Sequence, residues 1–581
     1  MNQRKRERGD EPEQDACVDQ TPGDMGHQQM MRVATQSLKA HRRLSLGRRA
    51  LAGLLAPFGS VLAVACQSPA DKADMAGELP RDSLVVMASG SDLESGHPLV
   101  AVHPLTRQLH RHALFVTLVR LDSLLQPVPY FARSWEWSAD RTTLTLSLDS
   151  TLRWHDGVPT TADDVVFTLR AVQDSTVASP RRADLSALQS VDTLGRHHVR
   201  LTFAAPQPRL PLVLAELPLA PRHLLDSVPR DRWRQSQFAT RPVGNGPFRF
   251  EARVTGRQWR FVRNTGFPAS MGGPPQMAGL VIAVVDEATT KFAGLVSGDL
   301  DVAGVSPAMA SLVARDSALR LLSPPVLFSN TLVFNTTRAP FDDVRVRRAF
   351  SLALGRTRIV QAAVAGFGTP ASSVLPPGLP MAPPPAIEAP DTRRRAEAEQ
   401  LLDAAGWRRS APGQPRQRNG QPLRVELLTV GSGDMAIEQL VQADLQAIGV
   451  RLELRVMELA TFLSSVRGST KTFDLALTGI PGDIGLGYLV AMFDGEQAGG
   501  ALDYSGFHRP GLTAAIREAR RTEGNAQRNA WQVVDSILMA ELPVAFLYHA
   551  RGVQGLSRRL GGVTMDLRGE LAFVSQWYRT P

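Results

Sequence analysis

Apolar positions recur along this chain with two periods, and each period predicts a kind of element. Leu144, Leu146 and Leu148 alternate with Thr145 and Ser147, the period of a half-buried strand. Ser83–Met87 (SLVVM) is a short apolar run and predicts a first buried strand. Phe248–Val254 and Gln258–Arg263 flank Thr255-Gly256, a hairpin by its turn residues. Elsewhere the period is helical. Val346, Ala349, Phe350, Ala353 and Leu354 share one face behind a cap at Asp342-Asp343. Ala398, Leu401, Leu402 and Ala405 repeat the pattern, and Gly406 ends it. Ile437, Leu440, Val441, Leu445 and Ile448 do so again before Gly449.

The stretch 423–456 joins the two periods. Leu423, Val425 and Leu427 predict a strand, the 437–448 helix follows, and Val450, Leu452, Leu454 and Val456 predict a second strand. Strand, helix and strand in so short a span make a βαβ unit, so part of the protein has a parallel sheet. Phe473–Leu477 (FDLAL) predicts the next strand. The class is therefore α/β.

The stretch Thr151–Val172 sets Trp154, His155 and Asp156 side by side and invites a catalytic reading. A structural reading explains it better. Asp156-Gly157 makes a turn, Thr161 and Asp164 form a capping box, and Asp163 and Asp164 suit the positive end of a helix. Val165, Val166, Leu169 and Val172 give that helix its apolar face. His155 has no partner that the sequence identifies.

Length changes the picture next. A chain of 581 residues exceeds one ordinary core and predicts roughly two to four domains or lobes. The formal net charge is +9; residues 1–65 hold ten Lys/Arg and seven Asp/Glu, so the remainder carries a mild +6. No basic stripe with interleaved aromatics appears, which argues against nucleic-acid binding. Two cysteines, Cys17 and Cys66, are too few for a disulfide framework or a thiolate metal site. There is no H-E-x-x-H, phosphate loop or G-x-S-x-G elbow; Gly244-Asn245-Gly246 runs into Pro247, and His110 and His112 are two apart. The chain is expected to be no enzyme, with no catalytic or metal-ligating residue and no cofactor.

The N-terminus reads as a delivery device. Arg42, Arg43, Arg48 and Arg49 precede the apolar run Ala50–Ala65, which is shorter than a membrane span, and Cys66 follows at once. This resembles a bacterial lipoprotein signal, in which Cys66 would be acylated; the alternative is a plain secretory signal. Residues 67–82 read as a tether. The body is expected outside the cytoplasm, periplasmic or at the cell surface, anchored by a lipidated cysteine.

A resemblance joins these blocks. Trp154-His155-Asp156-Gly157, Pro159 and Ala162–Leu169 resemble a signature of bacterial extracellular solute-binding proteins of family 5, the oligopeptide-, dipeptide- and nickel-type receptors of ABC importers. Leu118–Asp122, Pro129–Ser138, Pro221–Leu225, Pro242–Phe250, Ser297–Val302, Phe334–Leu354 and Leu401–Trp407 follow in family order. The resemblance implies a periplasmic-binding-protein-like fold of two lobes with two crossing segments and an extra subdomain in lobe I. Lobe I would be 83–303 plus 549–581, with the subdomain near 120–225, and lobe II 304–548. It implies closure of the lobes on a peptide or similar small solute, delivery to an ABC permease, and a monomer. Signalling, chaperoning and a nickel-chelate or haem ligand are the alternatives.

By the same resemblance, Asp483 would meet the ammonium of a ligand, with Ile480, Pro481 and Gly482 lining the site; the alternative is an exposed loop carboxylate. The loop departs from the family pattern: Ile480 and Ile484 stand where aromatics are expected, and the trailing acid–Pro is absent. Met87–Ser89, Ala303 and Gly304 are further lining candidates.

Overall fold

The computed structural model describes residues 79–411, 413–431, 435–467 and 471–580. The expected signal, Cys17, Cys66 and most of the tether lie outside the described residues.

Two large sheets organise the described chain. The first has seven strands in the order 319–322, 554–557, 302–304, 84–89, 279–284, 258–263, 248–254. Leu84–Ser89 sits at its centre, parallel to Gly279–Val284 on one side and to Val302–Gly304 on the other. The Thr255-Gly256 turn joins the expected hairpin, with Gly256 at φ +70°. The second sheet has six strands in the order 368–370, 544–551, 325–334, 475–481, 424–429, 451–456. Arg424–Thr429 runs parallel to Arg451–Val456 across the helix Ala436–Ala447, the expected βαβ unit. Gly449, at φ +86°, releases the chain from that helix into the next strand. A separate four-stranded antiparallel sheet, 132–137, 143–148, 198–203 and 188–193, falls within the stretch where a subdomain is expected.

The crossings lie later than 303 and 548. Leu319–Leu322 still belongs to the first sheet, paired with Gln554–Ser557, because Ala310 and Val313 of the intervening helix pack on the same core as Ala303. Val544–Arg551 likewise holds the second sheet past 548. The chain therefore changes sheets at 323–324 and at 552–553. These segments run side by side, with Gly552 N donating to Pro324 O at 2.8 Å. A Cβ on Gly552 would stand 3.0 Å from the Pro324 ring, so a side chain there would press the two segments slightly apart.

The Thr151–Val172 corner forms as its residues dictate. Gly157 takes φ +91°, and Thr161 and Asp164 close a reciprocal capping box at the start of the helix Ala162–Gln173. Val165, Leu169 and Val172 are buried in the first lobe's core.

Candidate functional site

Two chambers open where the lobes meet. The inner one, about 210 Å³, is walled by first-lobe residues, among them Arg111, Arg120, Glu216, Arg568 and Phe573, and is closed by Ile484 of the second lobe. The outer one, about 710 Å³, lies between Trp135, Trp137 and Leu212 of the first lobe and Met381, Gly485 and Glu523 of the second. Leu121 and Ile484 line both, so they form the sill between the chambers.

The inner wall is set by a widened helical turn. The helix Pro104–Leu109 continues as a π-turn over His110–Leu114, which buries His110 while Arg111 and His112 reach the chamber. The Gly244-Asn245-Gly246 loop packs directly on this turn. A Cβ on Gly244 would fall 1.9 Å from Leu114 O, and one on Gly246 would fall 2.4 Å from Ala113 O. Buried Asn245 accepts a hydrogen bond from Val116 N through Oδ1 at 2.9 Å. His155 holds the loop from behind: its Nδ1 accepts from Gly244 N at 3.1 Å and its Nε2 donates to Gly246 O at 3.0 Å. That pattern requires the neutral ring. Burial pushes the His155 pKa down to about 4, which keeps it neutral.

Arginine dominates the chamber's polar surface. Arg568 is bidentate to Asp566 at 2.6–3.1 Å, donates to Leu121 O at 3.0 Å, and lies over the Phe573 ring at 4.6 Å. Arg111 donates to His112 Nε2 at 3.0 Å and to Arg568 O at 2.9 Å. Burial, then the Arg111 charge, holds His112 well below the usual histidine value. Glu216 is shared by three arginines: Arg181 in direct contact, Arg111 at 3.6 Å and Arg107 at 3.8 Å. Asp122 Oδ1 is taken by the backbone N–H groups of Leu124 and Gln126. Arg120 differs from these. Its guanidinium lies over Tyr130 at 4.2 Å, and among the described residues no carboxylate stands within 4 Å of it.

Residues 126–497 match the model of bacterial extracellular solute-binding proteins, family 5 (middle), which spans more than half of the chain. The chain belongs to this family. This family 5 protein is 27% identical over 434 residues to a Brucella ovis protein named as an ABC transporter peptide-binding protein, covering 73% of this chain and 79% of that one. It is 24% identical over 389 residues to the nickel-binding periplasmic protein of Escherichia coli, covering 64% and 72%. Its fold is that of the oligopeptide-binding protein AppA of Bacillus subtilis, solved with a nonapeptide: TM-score 0.68, 21% identity, 86% of this chain and 99% of that one. By their names these relatives bind peptides or nickel, and as a member of the family 5 solute-binding proteins the chain is a binding protein and not an enzyme. Among the described residues no helix is long and apolar enough to cross a membrane.

The expected lining residues of this loop stand one or more residues away from those that line the chambers. The strand Leu475–Pro481 runs further than FDLAL alone suggests, and its even-numbered positions face a core. Ile480 is therefore buried in the second lobe rather than facing the cleft. Pro481 is exposed, paired with Phe328, and Gly482 N donates to Leu327 O at 2.8 Å; neither lines a chamber. Asp483 turns inward on its own loop. Its Oδ1 accepts from Gly487 N and its Oδ2 from Tyr488 N, both at 3.0 Å, which closes the first turn of the helix Gly487–Phe493. Ile484 and Gly485 are the loop residues that reach the chambers. Met87, Ala88, Ser89 and Ala303 are buried in the first lobe, and Gly304 pairs with Gln554; none lines either chamber.

The arginines of the inner chamber escaped the sequence reading. Arg120 lay inside the matched block Leu118–Asp122, at the position the family pattern leaves open. Arg568 comes from the C-terminal return of the chain, far from any motif.

Proposed function

We propose that this protein is the extracytoplasmic substrate-binding lipoprotein of an ABC importer. It captures a peptide or similar small solute by closure of its two lobes and hands it to a permease. The observation that carries this reading is Ile484: this side chain of the second lobe closes the inner chamber, whose other walls belong to the first lobe, and it also lines the outer chamber, which both lobes wall. Rotation at 323–324 and 552–553 would withdraw that wall and open both chambers at once, a hinge motion. The peptide-binding names of several relatives support a peptide as solute. The apolar run ending at Cys66 supports a lipid anchor.

The test is to purify the mature chain natively, denature it, and identify the released solute by mass spectrometry, for the wild type and for Ile484→Trp. A solute present in the wild type and depleted in Ile484→Trp supports the reading. Equal recovery from both would overturn the placement of the solute. Labelling with a radioactive fatty acid should mark the wild type and not Cys66→Ala; equal labelling would remove the anchor.

A further inference from the structure

Each charged side chain on the inner chamber's wall has a polar partner of its own, with a single exception. Arg568 is neutralised by Asp566, Arg111 shares Glu216, and Asp122 is occupied by its own turn. Arg120, an exposed residue, alone among the arginines of the chamber meets no carboxylate, and its guanidinium carbon lies 4.2 Å from the centre of the Tyr130 ring. A planar fork of donors beside a closable cavity matches the geometry of a carboxylate.

We infer that Arg120 binds a carboxylate of the solute, so that the ligand enters with its acidic end inward. This rests on the cleft being the solute site. Size agrees with an end group rather than a whole oligopeptide: about 210 Å³ is the volume of about seven waters. The rest of the ligand must pass the Leu121–Ile484 sill into the larger outer chamber, whose Trp135 and Trp137 offer apolar faces. The ligand is thus an amphiphilic carboxylate, either a short peptide with a free C-terminus or a non-peptide acid with an apolar body.

Three probes separate the sources: an equimolar tripeptide mixture with free carboxyl ends, the same mixture as C-terminal amides, and 3-phenylpropanoate. Retention on the full mature chain, stripped of bound solute, is measured by mass spectrometry after rapid gel filtration and by tryptophan emission. The wild type is expected to prefer free acids over amides by about tenfold or more, the scale of one charge-assisted hydrogen bond. Arg120→Ala should cut that preference to below about threefold, and Arg120→Lys should restore part of it. Phenylpropanoate bound in an Arg120-dependent way, with tripeptides ignored, would keep the carboxylate and assign the non-peptide source. Equal binding of acids and amides by the wild type, an undiminished preference in Arg120→Ala, or binding of no probe would overturn the inference. Ile484→Trp tells the two failures apart. If it abolishes binding while Arg120→Ala leaves the preference intact, only the role of Arg120 falls; if it leaves binding intact, the cleft itself is not the solute site.

Discussion

Arg141 Nη2 stands 2.9 Å from Glu523 Oε1, an ion pair that bridges the lobes at the edge of the outer chamber. Arg141 is held from its own side by the carbonyls of Gln207 and Pro208 at 2.7 and 2.6 Å. Glu523 stands at the start of the long helix Gly524–Glu541. Both side chains are more than 40% exposed, so the pair contributes about 0–1 kcal/mol and salt screens it. Arg141→Ala and Glu523→Ala should each shift the protein toward a more open form at low ionic strength, with little further effect when combined. Small-angle scattering would show a larger radius of gyration in each variant, and the difference should vanish in high salt. Identical radii at low salt would show that the pair does not hold the lobes together.

Gly244 is expected to tolerate no side chain. The contact at 1.9 Å is to a backbone oxygen, which cannot swing away as a side-chain tip could. Gly244→Ala should cost about 3 kcal/mol or more. Because the displaced turn carries Arg111 and His112, solute binding should fall with it. Urea unfolding and a binding assay on the same variant would check both effects.

Buried histidines make the fold acid-sensitive. Burial lowers the pKa of His97 and His110 to about 3 and of His155 and His549 to about 4, against 6.5 for a free ring. Between those limits the unfolded chain binds more protons than the folded one. The stability these rings contribute is therefore full above about 6.5 and is lost as pH falls toward 4 for His155 and His549 and toward 3 for His97 and His110. Asp535 and Glu570, whose pKa values burial raises, act in the opposite direction, so one histidine must be isolated. His110→Phe keeps the edge contact with Phe115 and removes one titrating ring. The urea midpoint of the wild type should drop more steeply than that of His110→Phe between pH 6.5 and 4.5. Parallel curves would exclude His110 as a source of the slope.

Asp483→Ala should act through the loop's shape. Two backbone N–H groups lose their acceptor, at a cost of about 1–2 kcal/mol. Asp483→Asn keeps one acceptor oxygen and should recover part of the loss in thermal unfolding. Were Asp483 instead a direct ligand for an ammonium, Asn would bind as poorly as Ala while unfolding like the wild type.

Periodicity made much of the architecture legible wherever an element buries a single face. The 143–148 strand alternates Leu with Thr and Ser, and its leucines are the buried positions. The Thr161–Asp164 box could be read because both partners are three residues apart in sequence. The site was less legible for the opposite reason. Arg111, Arg120, Glu216, Ile484 and Arg568 are brought together only by the fold, and a lone Arg in a strand or return loop carries no local signature. The family pattern points to the loop that reaches the chambers, and the side chain that lines them is Ile484 rather than Asp483. Strand pairing continues to Pro481 opposite Phe328, which turns Ile480 into the core and leaves Ile484 at the cleft.

Six of the eight tryptophans, Trp154, Trp233, Trp259, Trp407, Trp531 and Trp577, are buried away from both chambers. The other two, Trp135 and Trp137, are half-buried and share the outer chamber. The protein thus carries its own optical gauge. Filling the cleft would dry just these two indoles and shift their emission to shorter wavelength over a constant background, so occupancy can be followed with no attached dye.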